Sequence, residues 1–459
     1  MLRLEDLLKL KNCTVINKNI LQHRVFTGVS IDSRNCKKGE LFFAIRGEKN
    51  DGHNFLNQAF KKGLTTAVVD KKWYKGNGTD SMSKKQVYIV VNDTTKSLGE
   101  LARNYRRKFL IPVLAIAGSN GKTTTRDMIA HVLSKRYWVL NTEQNLNNQY
   151  GVPLTLFRLR KYHQFCVIEL GTNHFGEIEY LCRVAEPQFG VITNISKEHL
   201  EFLNNINGVT KAEGELLDYI KNYYGTFFLN NDDVNIKRKL GNSFKHYFSY
   251  AWKSKADVTG QLIKYNGFYP VISVSHNNLK FRTSLSMIGN QSFSSAICAA
   301  AIGFYFELPA KKIKRALAEF KVITKRRNEL LNKKGIWIID DTYNSNPDSV
   351  YAALDNLKNY KVKGGIHIVL SDMLELGKAG KKEHFNVGEK IYSLGLRNLY
   401  TYGNLSYNIY RGARGVKNNF YFTDKQTLIE LLKTRLRKND LVLVKGSHSM
   451  RMDEIVDNI

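Results

Sequence analysis

The sequence is poor in cysteine and in long apolar runs. Its five cysteines, at positions 13, 36, 166, 182 and 298, include no CxxC pair, which argues against a zinc ribbon or a disulfide framework. No run of roughly 18 apolar residues occurs, so we expect no transmembrane helix. The N-terminus, MLRLEDLLKLKN, has acids among its leucines and no small-residue cleavage site, unlike a signal peptide. These absences favour a reducing cytoplasm.

Acidic residues are scarce relative to basic ones. The sequence has 70 Lys and Arg residues and 41 Asp and Glu residues, which gives a formal charge of +29. Such a charge suggests polyanionic partners, either nucleic acid or anionic nucleotide substrates. A plainer interpretation is a lysine-rich composition with only 6 prolines, whose basic residues are solvated and spread along the whole chain. Composition alone leaves these interpretations open.

The hydrophobic pattern predicts an α/β protein. At 459 residues the chain is long enough for about three domains, and 43% hydrophobic residues is typical of globular proteins. Short β-type runs occupy the first 92 residues. Continuous apolar runs at 111–118, 165–171 and 189–195 alternate with helical patterns, which indicates βαβ units and a doubly wound parallel sheet. After a small-residue helix at 292–306, four more strand-like runs predict a further α/β domain.

The strongest local pattern is GSNGKTTT at 118–125, between a buried strand and a helix-like stretch. Glycines let backbone N–H groups approach phosphate oxygens, the helix N-terminus presents unpaired donors, and lysine neutralises charge. The spacing is that of a shorter GxxGKT[ST] form and not of the generic P-loop; Thr123 is placed to hold Mg²⁺. A glycine-rich turn without ligand is the plainer alternative. The predicted phosphate-binding residues are Gly118, Ser119, Asn120, Gly121, Lys122, Thr123 and Thr124.

Other polar residues stand where a nucleotide site would need them. Glu169 ends a strand, where open α/β sheets bind ligands, and a carboxylate there could hold Mg²⁺. His199 follows another strand, and the segment NLNNQYG clusters Asn145, Asn147 and Asn148. Taken singly, each has a plainer interpretation as a capping, loop or turn residue.

A third polar segment, DDTYNSNP at 340–347, also ends a strand. Its plainer interpretation is an Asx-rich turn before a helix whose cap lies within DSV at 348–350. Arg327, 14 residues before Asp341, is placed either to face a phosphate or to belong to a basic linker.

Taken in order, these segments resemble the Mur ligase family over nearly the whole chain. The resemblance rests on SIDSR (30–34), GELFFAIRGEKNDGHNF (39–55), GSNGKTTT, NLNNQYGVPLTL (145–156), ELGTNHFGEIEYL (169–181), ITNISKEHLE (192–201), DDTYNSNPDS (340–349), SDMLELG (371–377) and VLVKGSHSMRMDE (442–454). The DGH, NLNN, YNxNP and DMLELG segments are similar to the member that adds D-alanyl-D-alanine to UDP-N-acetylmuramoyl-tripeptide.

The resemblance implies three domains. Residues 1–92 would bind the UDP-linked tripeptide, residues 93–322 would form a central P-loop ATPase domain with a doubly wound sheet, and residues 323–459 would form a Rossmann-like domain that holds the dipeptide and closes over ATP. It assigns the UDP-substrate to Ser33, Arg34, Gly47, Asp51, His53, Asn145, Asn147 and Asn148.

The resemblance also implies the chemistry. ATP would activate a carboxylate as an acyl phosphate, and the amine of D-alanyl-D-alanine would displace phosphate. It gives Lys122, Glu169 and His199 as catalytic residues, with ATP and two Mg²⁺ ions as cofactors; Glu213 is a fourth catalytic candidate, from a departure described below. Thr123, Glu169 and His199 would contact Mg²⁺, and Arg327 and Asp341 would reach ATP. Tyr343, Asn344 and Asn346 would order the dipeptide or the nucleotide edge. A cytoplasmic monomer without nucleic acid or membrane insertion is expected.

The sequence departs from the family at three places. Glu213 stands where the family usually has a carbamylated lysine, so either Glu213 supplies that carboxylate directly or Lys211, two residues earlier, is carbamylated. GNQSFSS at 289–295 replaces GxHNxxN, with Ser295 in place of asparagine near the adenine, so we expect weaker nucleotide binding. His448 and Ser371 replace the usual Arg and Gly.

Three alternatives remain open. The chain could add a single amino acid instead of a dipeptide, it could be an inactive homologue, or it could be a basic P-loop ATPase that nucleic acid stimulates.

Overall fold

The structure, a computed structural model, describes residues 2–20, 25–77, 85–321 and 328–459. Its internal contacts form two compact units. The first unit comprises the chain up to Ile116, Tyr137–Thr172 and Gly176–Phe189, and the second comprises Ala117–Arg136, Asn173–Phe175 and Gly190–Ile459. Within the described residues, no helix combines the length and the apolar character needed to span a bilayer.

The N-terminal part of the first unit forms a five-stranded sheet in the order β2-β7-β6-β5-β4. Strands β4 to β7 run parallel, and β2 is antiparallel at the edge. All residues of β5 and β7 are buried, as expected for apolar runs covered on both faces. The elements are β1 Leu2–Arg3, α1 Leu4–Leu7, β2 Thr14–Ile16, β3 Val25–Phe26, β4 Val29–Ser30, β5 Leu41–Phe43, α2 Leu56–Lys61, β6 Thr66–Asp70, α3 Lys71–Asn77, β7 Val87–Val91 and α4 Thr94–Arg106.

The middle of the chain contributes to both units. In the first unit, β10 lies between β8 and β9 and is parallel to both. In the second, β11 to β16 lie in sequence order, and β14 to β16 form an antiparallel meander. The elements are β8 Val113–Ala117, α5 Lys122–Leu133, β9 Val139–Asn141, α6 Gly151–Leu156, β10 Phe165–Glu169, α7 Glu177–Ala185, β11 Phe189–Ile192, α8 Leu200–Leu203, α9 Ile206–Glu213, α10 Glu215–Asn222, β12 Thr226–Asn230, α11 Val234–Leu240, β13 Tyr247–Ala251, β14 Val258–Asn266, β15 Tyr269–His276, β16 Leu279–Ser284, α12 Asn290–Tyr305 and α13 Ala310–Glu319.

The C-terminal part of the second unit is a six-stranded sheet in the order β17-β18-β22-β19-β20-β21. All its pairs are parallel except β17–β18. The sequence predicted four of these strands and missed β17 and β21, because their runs, ELLNK and NNFYF, mix polar and apolar residues at an edge. The elements are β17 Glu329–Lys333, β18 Ile336–Asp341, α14 Pro347–Leu357, β19 Ile366–Ser371, α15 Gly380–Ser393, β20 Asn398–Tyr402, α16 Tyr407–Gly412, β21 Asn418–Phe422, α17 Lys425–Arg435, β22 Leu441–Lys445 and α18 Asp453–Asn458.

One local prediction was wrong. The cap of α14 is Asn346 and not a residue of 348–350, because the Asn346 side chain accepts a hydrogen bond from the Ser349 backbone N–H at 2.8 Å. The Ser349 hydroxyl reciprocates by accepting one from the Asn346 N–H at 3.0 Å. This reciprocal pair, with Pro347 at the first helical position, is a strong start signal for a helix.

Candidate functional site

The segment 118–125 adopts a loop that only glycine permits at two positions. Gly118 has φ +117° and Gly121 has φ +79°. A Cβ on Gly118 would lie 2.4 Å from Thr193 Oγ1, which is closer than any real contact. The turn therefore brings the chain directly into α5, whose first residue is Lys122. This strand–turn–helix arrangement is the one that binds phosphate groups.

The loop is fastened to the segment that follows β11. Asn194 accepts hydrogen bonds from the backbone N–H groups of Ser119 (through its carbonyl, 2.9 Å) and Asn120 (through Oδ1, 3.1 Å). Thr193 Oγ1 and Asn194 Nδ2 both donate to the Asn120 carbonyl at 2.8 Å. Because Asn120 is held from two sides, the loop is preorganised before any ligand binds.

Lys122 and Thr125 fix the start of α5. The Lys122 ammonium donates to the Gly118 carbonyl across the loop, so its charge sits at the cradle. Thr125 Oγ1 shares a 2.8 Å hydrogen bond with Ser295 Oγ, and Ser295 is buried. This contact gives Ser295 a role in joining α12 to α5. The expected weakening of nucleotide binding at this position stays a prediction.

Glu213 lies beneath the loop. Its side chain is fully buried, and Oε2 accepts a hydrogen bond from the Gly118 N–H at 2.5 Å. Burial raises the pKa of Glu213 to about 7, against the opposing effect of the nearby Lys122 charge. The rival residue, Lys211, is exposed, and its ammonium lies 5.2 Å from the centre of the Phe175 ring. Of the two, only Glu213 reaches the phosphate loop.

His199 and two carboxylates form a second cluster. His199 Nδ1 is hydrogen-bonded to Glu375, and Nε2 lies 3.9 Å from Glu198 Oε2. Burial lowers the pKa of His199, but the Glu375 hydrogen bond and the Glu198 charge outweigh it and raise the pKa overall. The charges of Lys122, Glu198 and His199 all act on Glu213, so these groups are neighbours.

This cluster is suited to a divalent cation. Glu198 Oε1 is buried and has no hydrogen-bond partner among the described residues, and a buried unpartnered carboxylate oxygen is costly unless a cation reaches it. Among those residues no three acidic, histidine or cysteine side chains converge as a complete metal site. Magnesium, which often keeps waters and substrate phosphates as ligands, needs no such protein cage.

The segment 340–347 sits beside the loop through Asn346. Asn346 Nδ2 donates to Asn120 Oδ1 at 3.0 Å. Asp341 is paired at 2.7 Å with the buried Lys445, which also donates to the Asn344 carbonyl at 2.8 Å. Tyr343 packs against His448 with ring centres 5.8 Å apart. The predicted Arg327 lies outside the described residues.

Glu169 is placed by β10 in the first unit. Its register partner is Ile116, two residues before Gly118. The side chain is buried, and Oε1 accepts a hydrogen bond from Asn147 Nδ2 at 2.9 Å. Asn148 Oδ1 accepts from the N–H groups of Tyr150 and Gly151 at the start of α6. Asn147 therefore orients a carboxylate, whereas Asn148 stabilises the turn that leads into α6.

The N-terminal candidates divide into exposed and enclosed residues. Arg34 is 79% exposed and forms a paired contact with Asp32 at 3.0 Å. His53 is enclosed, because Nδ1 bonds Asp51 at 2.5 Å and Nε2 accepts from the Asp70 N–H at 2.9 Å. With both ring nitrogens engaged, His53 holds its loop in shape and has no nitrogen left for a ligand.

The neighbouring candidates are part of the same N-terminal structure. Ser33 is buried and donates to Gln58 Oε1 at 2.8 Å, and the Gly47 N–H donates to the Asn50 carbonyl at 2.9 Å. A Cβ at position 52 would meet the Ile45 backbone at 2.6 Å, which explains the glycine of the DGH turn. The exposed guanidinium of Arg34 is thus the most accessible polar group of this set.

Sequence comparison matches family models to three successive stretches. They are the Mur ligase family catalytic domain at 25–106, the Mur ligase middle domain at 116–303, and the Mur ligase glutamate ligase domain at 326–448. The UDP-N-acetylmuramoyl-tripeptide–D-alanyl-D-alanine ligase of Buchnera aphidicola (subsp. Acyrthosiphon pisum) is 31% identical over 466 residues, spanning 100% of this chain and 98% of the relative. The chain belongs to the Mur ligase family.

Further similarities agree with this family membership. The Haemophilus influenzae ligase of the same name is 32% identical over 440 residues, spanning 93% of this chain and 92% of the relative. A crystal structure of MurF from Acinetobacter baumannii superposes with a TM-score of 0.88 at 28% identity, covering 99% of this chain and 97% of that one. The prediction of a three-domain α/β Mur ligase fold is therefore confirmed.

Sequence reasoning missed several residues that build this Mur ligase site. Asn194, Glu198 and Glu375 were inside quoted motifs but were not singled out as site residues. An asparagine two residues after a buried strand was a usable signal for Asn194. Nothing in the sequence indicated that Glu375 of the DMLELG segment contacts His199, 176 positions earlier.

Proposed function

We propose that this chain is an ATP-dependent ligase that joins D-alanyl-D-alanine to UDP-N-acetylmuramoyl-tripeptide through an acyl phosphate. The observation that carries the proposal is a preorganised phosphate loop with a buried carboxyl, Glu213, bonded to its first glycine. Relatives of that name, similar over nearly their whole length, support the choice of substrates.

The first step brings together two anions. A carboxylate oxygen of the tripeptide attacks the γ-phosphorus of ATP, the bond to the β-phosphate oxygen breaks, and ADP leaves. Like charges repel as the reactants approach, so the site must supply positive potential. Lys122 at the loop, the N–H groups of the cradle and the N-terminus of α5 provide it by position and not by covalent catalysis.

The second step forms the amide. The free amine of the dipeptide attacks the acyl carbon, and a tetrahedral intermediate collapses with loss of inorganic phosphate and one proton. Tyr343, Asn344 and Asn346 are proposed to order the dipeptide or the nucleotide edge, and Asp341 to face the ribose. The Asn346–Asn120 contact supports this, since it joins the dipeptide-side segment to the phosphate loop.

Magnesium is proposed as the cofactor, because it would neutralise the phosphate charges of ATP. Thr123, His199 and Glu213 are the candidate contacts in the second unit. The buried, unpartnered Glu198 oxygen supports a cation there. Glu169 as a further contact, and two ions as their number, stay predictions.

Substrate binding is proposed to follow the chain order. Residues 1–92 would bind the UDP-linked tripeptide through Arg34 and the loop that holds Gly47, with Asn145 and Asn147 assisting. Residues 93–322 would bind ATP, and residues 323–459 the dipeptide. A monomer in the cytoplasm is the proposed state.

A coupled ADP-release assay tests the proposal. With UDP-muramoyl-tripeptide, release should require D-alanyl-D-alanine and should not occur with D-alanine or L-amino acids. Lys122→Ala should lower turnover by about 100-fold or more, since it removes the charge that offsets repulsion. Preference for a single amino acid would reassign the chain to another Mur ligase activity. Release without tripeptide, stimulated by DNA or RNA, would reject ligation.

A further inference from the structure

A cavity of about 350 Å³ lies where α16 turns into β21. Its walls include Tyr407, Tyr410, Arg411, Arg414, Lys417 and Asn419, which we call the Tyr407–Arg414 cavity. The volume is within the range of small-molecule sites. None of these residues takes part in the ligation proposed above.

The cavity is lined by cations without counterions. Within the described part of the chain, Arg411, Arg414 and Lys417 form no ion pair, and no acidic side chain lines the wall. All three side chains are exposed at the rim of one depression, so an anion bound there would be attracted by three cations at once. Guanidinium groups bind phosphate oxygens through paired hydrogen bonds, so the wall is suited to a phosphorylated ligand.

An aromatic surface stands beside these cations. Tyr407 is 45% exposed, lies nearly parallel to Tyr410 with ring centres 6.0 Å apart, and meets Tyr421 edge-on at 5.1 Å. Its ring is thereby held in place while much of its surface stays accessible. A fixed, exposed tyrosine next to phosphate-binding cations favours a ligand that has a planar ring.

The wall is formed in advance of binding. Asn419 Nδ2 donates to the carbonyls of Tyr410 at 2.9 Å and Ala413 at 3.0 Å, which fastens the end of α16 to β21. Asn419 Oδ1 is buried and has no hydrogen-bond partner among the described residues. A site with fixed walls loses less entropy on binding.

We propose that the Tyr407–Arg414 cavity is a second nucleotide site. It takes a nucleoside phosphate, whose phosphates contact Arg411, Arg414 and Lys417 and whose base lies against Tyr407. Inorganic polyphosphate shares the charge but lacks the ring, and a nucleic acid strand would extend beyond a depression of this size.

The test counts bound nucleotide on the full chain. Equilibrium dialysis with radiolabelled ADP should find two ADP per wild-type chain, one per Arg411→Ala/Arg414→Ala chain, and one per Lys122→Ala chain. The double variant Lys311→Ala/Lys314→Ala, which removes two exposed cations from α13, should keep two. A single ADP on wild type, or a second ADP retained without Arg411 and Arg414, would overturn the proposal.

Two further arms identify the ligand class. Tyr407→Ala should weaken ADP at this site by about tenfold and leave pyrophosphate unchanged, because only the base stacks on the ring. Equal weakening of both, or an oligonucleotide that binds more tightly than ADP, would reject the nucleotide assignment. Ligase turnover of Arg411→Ala/Arg414→Ala should match wild type, and its loss would also count against a separate site. Failure of the ligase proposal would appear instead as absent ADP release, whatever the count of bound ADP.

Discussion

At the scale of single residues, Glu213 connects burial to function. A carboxyl group without solvent resists ionisation unless a cation is near. The charge of Lys122 favours ionisation of Glu213 and the charge of Glu198 opposes it, and Glu213 Oε2 is fixed by the Gly118 N–H. Its charge state therefore depends on what binds at the phosphate loop, whereas Lys211 lies exposed beside Phe175.

Glu213→Gln should lower kcat by about 100-fold, because the amide keeps the Gly118 hydrogen bond but cannot supply negative charge to a cation. Lys211→Arg serves as the control, since arginine cannot be carbamylated in place of lysine and its position is exposed. It should keep wild-type kcat in the ADP-release assay. Loss of activity in Lys211→Arg with Glu213→Gln active would establish the carbamylated lysine instead.

Glu213 should also give the protein a pH-dependent stability. Its pKa in the folded state is raised from 4.5 to about 7, so the folded state binds a proton that the unfolded state releases. The contribution of this group to the free energy of unfolding is at its maximum below pH 4.5 and is lost as pH rises through 7.

In metal-free buffer, Tm of wild type relative to Glu213→Gln should therefore fall between pH 5 and pH 8. Thermal unfolding of both proteins across this range measures the difference, in which titrating groups that do not interact with Glu213 cancel. A constant difference would contradict the raised pKa.

At the scale of elements, the residue that caps α14 also contacts the phosphate loop. Asn346 caps the helix through Oδ1 and holds Asn120 through Nδ2. One side chain thus joins the start of a helix in the C-terminal sheet region to the loop before α5. The polar run 340–347 is accordingly both an Asx-rich start of a helix and part of the candidate site.

Asn346→Ala should lower the free energy of unfolding by about 1 kcal/mol, the usual loss for an N-cap. Asp424→Ala removes the cap of α17, whose side chain accepts from the Thr427 N–H at 2.7 Å, and should cost a similar amount. Only Asn346→Ala should also raise KM for ATP. Denaturant unfolding and ATP kinetics on both variants separate the two effects, and an equal rise in KM would show that the cap alone matters.

At the scale of the whole molecule, the charge of +29 acts on the proposed substrates before they bind. ATP and the UDP-linked tripeptide are polyanions, whereas D-alanyl-D-alanine is a zwitterion without net charge. A basic protein raises the local concentration of anions and speeds their encounter, and salt screens this attraction.

Raising ionic strength from low to above physiological should lower kcat/KM for the UDP-linked tripeptide by about tenfold. The same parameter for D-alanyl-D-alanine should change little, which makes the dipeptide an internal control. Initial rates at several salt concentrations with one substrate varied at a time provide the measurement. Equal salt dependence for both substrates would assign the effect to the protein and not to steering.

The sequence by itself determined the family, the α/β class and the phosphate loop. Buried parallel strands require continuous apolar runs, and a phosphate cradle requires glycines at fixed spacing before a helix, so both leave local patterns. Because the motifs occur in the order that the Mur ligases have, the sequence also supported the proposal that this chain has the activity of its relatives.

Only the tertiary structure decided which polar residues face one another. Glu375 reaches His199, Glu213 reaches Gly118, and Asn346 reaches Asn120 across 226 positions. It also showed that both nitrogens of His53 are engaged and that edge strands β17 and β21 complete their sheet. Such contacts leave no local pattern, because a side chain's partner depends on how distant elements pack and not on its neighbours in sequence.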